Sequence, residues 1–234
     1  MELDRLTDWL WCLRTPIVQC YAISHRAGFV LIDASTEGEE NSILTLLGQA
    51  LAIPGEQVVV HEILLTHGHH DHIGSAAALA ARTGGRVVGP ALEADVIEGR
   101  RAHPQPRRRD WEIPMYEQII PQVPAAPRVM LDERLAPGDT RDWDNPAVLL
   151  AAPGHTPGQL AVWFPTERAL IAGDAMASRD GQPMPGVFNV DPAEAATTYA
   201  TLAALAPDIA CFGHGAPLTH QAAKFLQPGT RDRP

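Results

Sequence analysis

The 234-residue sequence predicts an α/β fold. Three observations predict it. Apolar runs of β-forming residues alternate with helical stretches. Four of those runs end in a loop that carries histidine or aspartate. Glycine or proline marks nearly every junction between elements.

Taken in order, residues 9–13, 17–23 and 29–32 are apolar runs suited to strands. Gly28 marks the turn between the second and third, and Asp33 ends the third. Residues 39–51 have helical spacing, with Ile43, Leu46, Leu47 and Leu51 on one face, and Pro54-Gly55 stops them. Residues 58–65 predict a buried strand that runs into a histidine-rich loop. Residues 75–82 are alanine-rich and predict a helix, ended by Gly84-Gly85, and 86–88 predict another strand. The segment 99–128 departs from this pattern. It is rich in proline and holds Arg107-Arg108-Arg109 together with Trp111, Met115 and Tyr116. A long loop or lid with one helical turn is expected there, inserted into one domain spanning 1–234. Strands return at 147–151, 160–164 and 169–172, the last two forming a hairpin around 165–168. Residues 192–205 predict a helix, with Asp191 as N-cap and Pro192 in its first turn. A final strand is expected at 209–212.

Composition narrows the partners. The formal charge of −10 disfavours a polyanion ligand, so no nucleic acid is expected. The three consecutive arginines read as a solvated loop or as a contact to an anionic substrate. No apolar stretch approaches the roughly eighteen residues of a membrane span, and the Met-Glu-Leu-Asp-Arg start lacks the features of a secretory leader. The expected partner is a small-molecule substrate, with no membrane; a homodimer stays open. Cys12, Cys20 and Cys211 are odd in number and widely spaced, so reduced thiols and a cytoplasmic location are expected.

The chemistry concentrates at strand ends. His67, His69, Asp71 and His72 follow the strand at 58–65, His155 follows 147–151, Asp174 follows 169–172 and His214 follows 209–212. Loops beyond strand ends are where open sheets collect functional groups. Gly68, Gly154, Gly173, Gly213 and Gly215 flank these residues and permit tight backbone there. Neutral imidazole and carboxylate are ligands for zinc, and for iron or manganese in similar sites. Seven ligands exceed the needs of one tetrahedral ion but suit two ions that share a water, whose pKa would fall from roughly 15.7 towards about 7. His25, His61, His103 and His220 have no partner pattern and are set aside. His70 is expected to point away from the metals.

With those residues in view, the sequence resembles the metallo-β-lactamase superfamily. The likeness rests on Asp33, on Thr66-His67-Gly68-His69-His70-Asp71-His72, on His155 within Pro-Gly-His-Thr-Pro-Gly, on Asp174 within Ala-Gly-Asp and on His214 within Gly-His-Gly. It implies an αββα sandwich: two β-sheets face to face, helices outside, metals at one edge. It further implies that His67, His69 and His155 hold one ion, that Asp71, His72 and His214 hold the other, and that Asp174 bridges them. Asp33 would support the site without ligating. Two divalent ions, zinc first with iron or manganese as alternatives, would supply a hydroxide that attacks an ester, thioester or lactone. Asp71 is then the catalytic candidate that steers water or takes the leaving-group proton.

A bridging aspartate resembles the glyoxalase II-like and lactonase-like branches and not the true β-lactamases. Twenty residues follow His214, so the glutathione-binding helical domain of glyoxalase II is not expected. The alternatives are an enzyme similar to the mononuclear iron persulfide dioxygenases, and a non-catalytic metal-containing binding protein. Met176, Met184, Val187 and Phe188 are expected either to pack under their loop or, with Trp111, Met115 and Tyr116, to line an apolar pocket mouth; Tyr116 and Tyr199 are the candidates for an assisting tyrosine.

Overall fold

The computed structural model describes residues 1–226. Its contacts divide the chain into two compact units. The first comprises Met1–His103 and Val123–Leu135, and the second comprises Pro104–Gln122 and Ala136 onward.

The first unit is built on a seven-stranded sheet in sequence order. Its strands are β1 (Glu2–Arg5), β2 (Leu10–Arg14), β3 (Gln19–His25), β4 (Gly28–Ile32), β5 (Val60–Leu64), β6 (Arg86–Pro90) and β7 (Glu133–Leu135). The first four pair antiparallel, as short turns allow, and β4 to β7 pair parallel. The crossover from β4 to β5 contains helix α1 (Glu40–Leu51). That from β5 to β6 carries α2 (His70–Ile73) and α3 (Ala76–Thr83), and α4 (Ala94–Ile97) follows β6. Ile43, Leu44 and Leu47 of α1 and Leu79 of α3 pack against Leu31, Ile63 and Val87 of the sheet, all buried. Of the stripe expected from spacing, Ile43 and Leu47 are buried, Leu46 is half-buried and Leu51 is exposed, and Leu44 completes the buried face instead. Register places Cys12 opposite Tyr21 and Leu13 opposite Cys20, so the two cysteines point to opposite faces and do not pair. All three cysteines are free and buried.

The second unit begins with α5 (Glu112–Ile119), a full eight-residue helix where a single turn was expected. Its five-stranded sheet has the order β14-β11-β10-β9-β8, from β8 (Thr140–Asp142), β9 (Pro146–Ala151), β10 (Leu160–Phe164), β11 (Ala169–Ile171) and β14 (Ile209–Cys211). A separate hairpin pairs β12 (Met176–Arg179) with β13 (Gln182–Pro185). Helix α6 (Pro192–Ala203) starts where expected: the Asp191 carboxylate accepts from Ala193 N and Glu194 N, and Pro192 occupies the first turn. Leu202 and Tyr199 of α6 join Leu170, Ala210 and Phe212 in this unit's own core. Met176 belongs to that core and is fully buried, so of its two readings it takes the packing one. Tyr199 lies there too, and burial raises its phenol pKa. Among the described residues, no helix is long and apolar enough to cross a membrane.

Candidate metal centre

Strand direction gathers the candidate ligands. In the first unit β4 and β5 are parallel, so Asp33 after β4 and His67 to His72 after β5 leave the same edge of the sheet. In the second unit β9 and β11 are each antiparallel to β10, and β11 is parallel to β14. β9, β11 and β14 therefore run the same way, and His155, Asp174 and His214 emerge together at one edge.

In the first unit Asp33 organises the half-site. It sits in the left-handed region at φ 63, a conformation aspartate tolerates better than most residues. Its Oδ1 accepts from Thr66 N at 2.7 Å, and its Oδ2 accepts from Thr66 Oγ1 at 2.8 Å. The same Oδ2 lies 2.8 Å from His72 Nδ1, which therefore carries the proton and leaves Nε2 as a ligand. Because Thr66 donates its hydroxyl proton to Asp33, it accepts from His67 Nδ1 at 3.0 Å, and His67 Nε2 is left with its lone pair. Asp33, Thr66, His67 and His72 are all buried. His69 and Asp71 are half-buried, and His69 is the N-cap residue of α2. The α2 turn is held by Ala34 N donating to His72 O at 2.7 Å and Gly74 N to Ser35 O at 2.8 Å. A Cβ at Gly74 would run into the backbone of Thr36 and Glu37, so glycine is required there.

His103 lies beside the histidine run without joining either donor group. Its ring lies 5.2 Å from that of His69 and 4.9 Å from that of His70. Burial, helped by nearby His70, pushes its pKa down to about 4. Nothing in the sequence tied it to the histidine run. His25 and His61, also set aside, form an edge-to-face pair at 5.2 Å.

In the second unit His155 follows Gly154, whose φ of 121 and contact with the Ala195 backbone exclude a side chain. His155 Nδ1 donates to Val187 O at 2.9 Å, which turns Nε2 toward Asp174. Asp174 Oδ2 lies 3.4 Å from His155 Nε2 and 3.2 Å from His214 Nε2. One carboxylate oxygen thus faces two imidazoles. His155 and Asp174 are buried and His214 is half-buried.

The donor set fits a metal. Zn–N bonds of about 2.0–2.1 Å place neighbouring ligands about 3.3 Å apart at the corners of a tetrahedron. The spacings here are 3.1 Å for His67 Nε2 to His69 Nδ1, and 3.4 and 3.2 Å for the two imidazoles facing Asp174. His67, His72 and His155 each have the other nitrogen engaged by a hydroxyl, a carboxylate or a carbonyl, the arrangement that fixes metal-ligating tautomers.

Within the second unit, Phe188 stacks edge-to-face on Tyr116 at 5.1 Å. Arg108 lies 4.7 Å over Tyr116, and Arg109 lies 4.6 Å over Trp111 and pairs with Glu112 at 3.0 Å. The arginine cluster is thus partly built into its own unit.

Comparison with known proteins places these features in context. A family model described as the metallo-beta-lactamase superfamily matches residues 13–214. The chain is 29% identical over 209 residues to the probable metallo-hydrolase YflN of Bacillus subtilis (strain 168), covering 82% of this chain and 76% of that protein. It is 32% identical over 174 residues to the hydroxyacylglutathione hydrolase of Rhodobacter capsulatus, covering 73% of this chain. The match spans about half, 54%, of that relative's length. Among solved structures, the metallo-beta-lactamase family protein TTHA1429 from Thermus thermophilus superposes with TM-score 0.68 at 22% identity, over 95% of this chain and 78% of the other. TTHA1623 in a di-iron-bound form superposes with TM-score 0.61 at 25% identity, over 90% and 94%.

Proposed function

The chain belongs to the metallo-β-lactamase superfamily, and from that premise we propose that it is a dinuclear metallohydrolase cleaving an ester, thioester or lactone of a small molecule. The observation that carries this is Asp174, whose single Oδ2 faces both His155 and His214. A carboxylate so placed suits a bridge between two ions. On this reading His67, His69, His155 and Asp174 would hold one ion, and Asp71, His72 and His214 the other. Bound there, two divalent ions would supply a water of lowered pKa and a Lewis acid for the carbonyl oxygen.

The protein's own residues do the rest. Asp33 and Thr66 hold His72 and His67 in the ligating tautomer. The Val187 carbonyl does the same for His155. We assign to Asp71, half-buried in α2, the role of orienting the attacking water and passing its proton to the leaving oxygen or sulfur. The hydroxyacylglutathione hydrolase relative, a thioesterase by name, favours a thioester or ester over a β-lactam. Zinc is the expected pair of ions. Iron is the second choice, because TTHA1623 was solved with two irons.

The test is elemental analysis of purified protein, followed by an activated ester, thioester and lactone panel with Asp71→Ala alongside. Two metals per chain and a loss of roughly 10²–10⁴-fold in the variant are expected. Equal rates for both proteins would defeat the role of Asp71. A single iron with oxygen consumption would defeat hydrolysis.

A further inference from the structure

The segment 187–190 is bonded on two sides. On one side it brackets His155: Val187 O accepts from His155 Nδ1 at 2.9 Å, and Val190 N donates to His155 O at 3.2 Å. On the other side it is held by the segment leading into α5. Arg107 N donates to Asn189 O at 2.8 Å, and Phe188 N donates to Glu112 Oε1 at 3.2 Å. The Tyr116 ring of α5 packs on Phe188.

Glu112 is the centre of that second side. Its side chain is only 1% exposed. Oε2 accepts from Arg109 N at 2.7 Å, and Oε1 accepts from the Arg109 guanidinium at 3.0 Å and from Phe188 N. A buried carboxylate is costly unless its acceptors are filled, and here one filling donor is the backbone of a residue 76 positions away. Phe188 itself sits at φ 57, a left-handed conformation that a bulky L residue holds only when its surroundings impose it. With Phe188 N turned to Glu112, the preceding peptide presents the Val187 carbonyl to His155.

We propose that Glu112 is a positioning residue for His155: it fixes Phe188 in the left-handed conformation, and through it the Val187 carbonyl that sets the tautomer and direction of the His155 ring. The proposal rests on the reading of His155 as a metal ligand. It also gives the 104–122 segment a role, since that segment then sets the geometry of one ligand.

The experiment titrates metal-free protein with Co²⁺ and follows both the visible ligand-field absorption and the dissociation constants by chelator competition. Glu112→Ala removes all three acceptor contacts. Weaker binding of one Co²⁺ by roughly tenfold, with a changed absorption band, is expected, at the low end of effects for groups that orient a ligand. Glu112→Gln keeps an acceptor for Phe188 N and should restore the wild-type band. Should Glu112→Ala not fold, Glu112→Asp keeps the charge beside Arg109 but is one methylene too short for Phe188 N, and should show the same loss. A fall in Tm with unchanged Co²⁺ affinity and spectrum would mean that Glu112 only caps α5, and would overturn the proposal. Failure of the wild type to bind two Co²⁺ ions would instead overturn the dinuclear reading.

Discussion

Replacing Asp33 with alanine tests whether the first half-site is held by its carboxylate. Three contacts vanish at once: Thr66 N at 2.7 Å, Thr66 Oγ1 at 2.8 Å and His72 Nδ1 at 2.8 Å. Two of them leave buried N–H groups without their acceptor, and an orphaned buried donor costs about 1–3 kcal/mol. Alanine at φ 63 adds about 1 kcal/mol, because it lacks the local tolerance of aspartate for the left-handed region. The metal-free protein should therefore lose about 3–7 kcal/mol, against a total stability of about 5–15 kcal/mol. Metal binding should weaken separately. With Nδ1 no longer held, His72 is free to carry its proton on Nε2, and loss of such a support costs roughly 10–100-fold in affinity, equivalent to about 1.4–2.7 kcal/mol. Urea denaturation of the metal-free protein measures the first quantity, and chelator competition measures the second. Asp33→Asn keeps the size and at least one acceptor contact, so it should fall between wild type and alanine in both. A variant that loses stability but binds both ions at wild-type affinity would refute the claim that Asp33 sets the His72 tautomer. A variant unchanged in both would refute the hydrogen-bond network itself.

Three further outcomes are expected. Gly154→Ala meets an unsuitable φ of 121 and the Ala195 backbone, and should cost at least about 3 kcal/mol in urea denaturation, while Gly181→Ala, at φ 73 with open space around it, should cost only about 1 kcal/mol. Adding a chelator to loaded protein should lower stability by about 2.7 kcal/mol where metal had stood at 100 times its dissociation constant, read as a drop in Tm reversed by added zinc; an unchanged Tm would speak against metal bound to the folded state. Burial, aided by Asp4, raises the Cys12 thiol from 9.0 to about 12, and burial raises the Cys20 thiol well above its usual value. The folded state then holds protons that the unfolded chain releases, so stability should be full below pH 9 and decline from there toward pH 12. Thiol titration at pH 8 should find neither cysteine in folded protein and all three thiols after unfolding.

The fold was legible where side chains alternate or repeat with the helix period, and hidden where long-range pairing decides. Residues 19–25, 28–32, 160–164 and 169–171 form strands close to their predicted limits because their apolar residues are buried on the sheet. Strand β1 was missed because Glu-Leu-Asp-Arg has no apolar run; it is held at the edge by pairing with β2 and by ion pairs such as Arg14 to Glu2 at 2.7 Å. Strands β7 and β8 are three residues long, and pattern carries little at that length. Helix α2 lies inside the histidine run, where metal-ligand residue types mask the helical period. Helix α5 lies in the proline-rich segment, and Pro114 falls in its first turn, where a missing N–H costs nothing.

The candidate site was legible for a different reason. Ligand identity is written locally, in His-Gly-His-His-Asp-His or Ala-Gly-Asp, and each motif sits after a strand. What the motifs do not carry is their orientation, which depends on partners remote in sequence: Asp33 reaches Thr66 and His72 across 33 and 39 residues, and His155 reaches Val187 across 32. Those partners are single residues with no pattern of their own, and Glu112 is the extreme case. The ligands themselves tolerate this because β4 and β5 run parallel, and because β9, β11 and β14 share one direction. Within each sheet, shared direction delivers that sheet's loops to one edge, whatever lies between the strands in sequence. The dependence also runs the other way. A slip of one residue in β11 against β14 would turn its side chains to the opposite face and carry Asp174 away from His214. Register in the sheet cores therefore determines whether the half-sites exist at all, and core substitutions that disturb register should reduce metal binding before they unfold the protein.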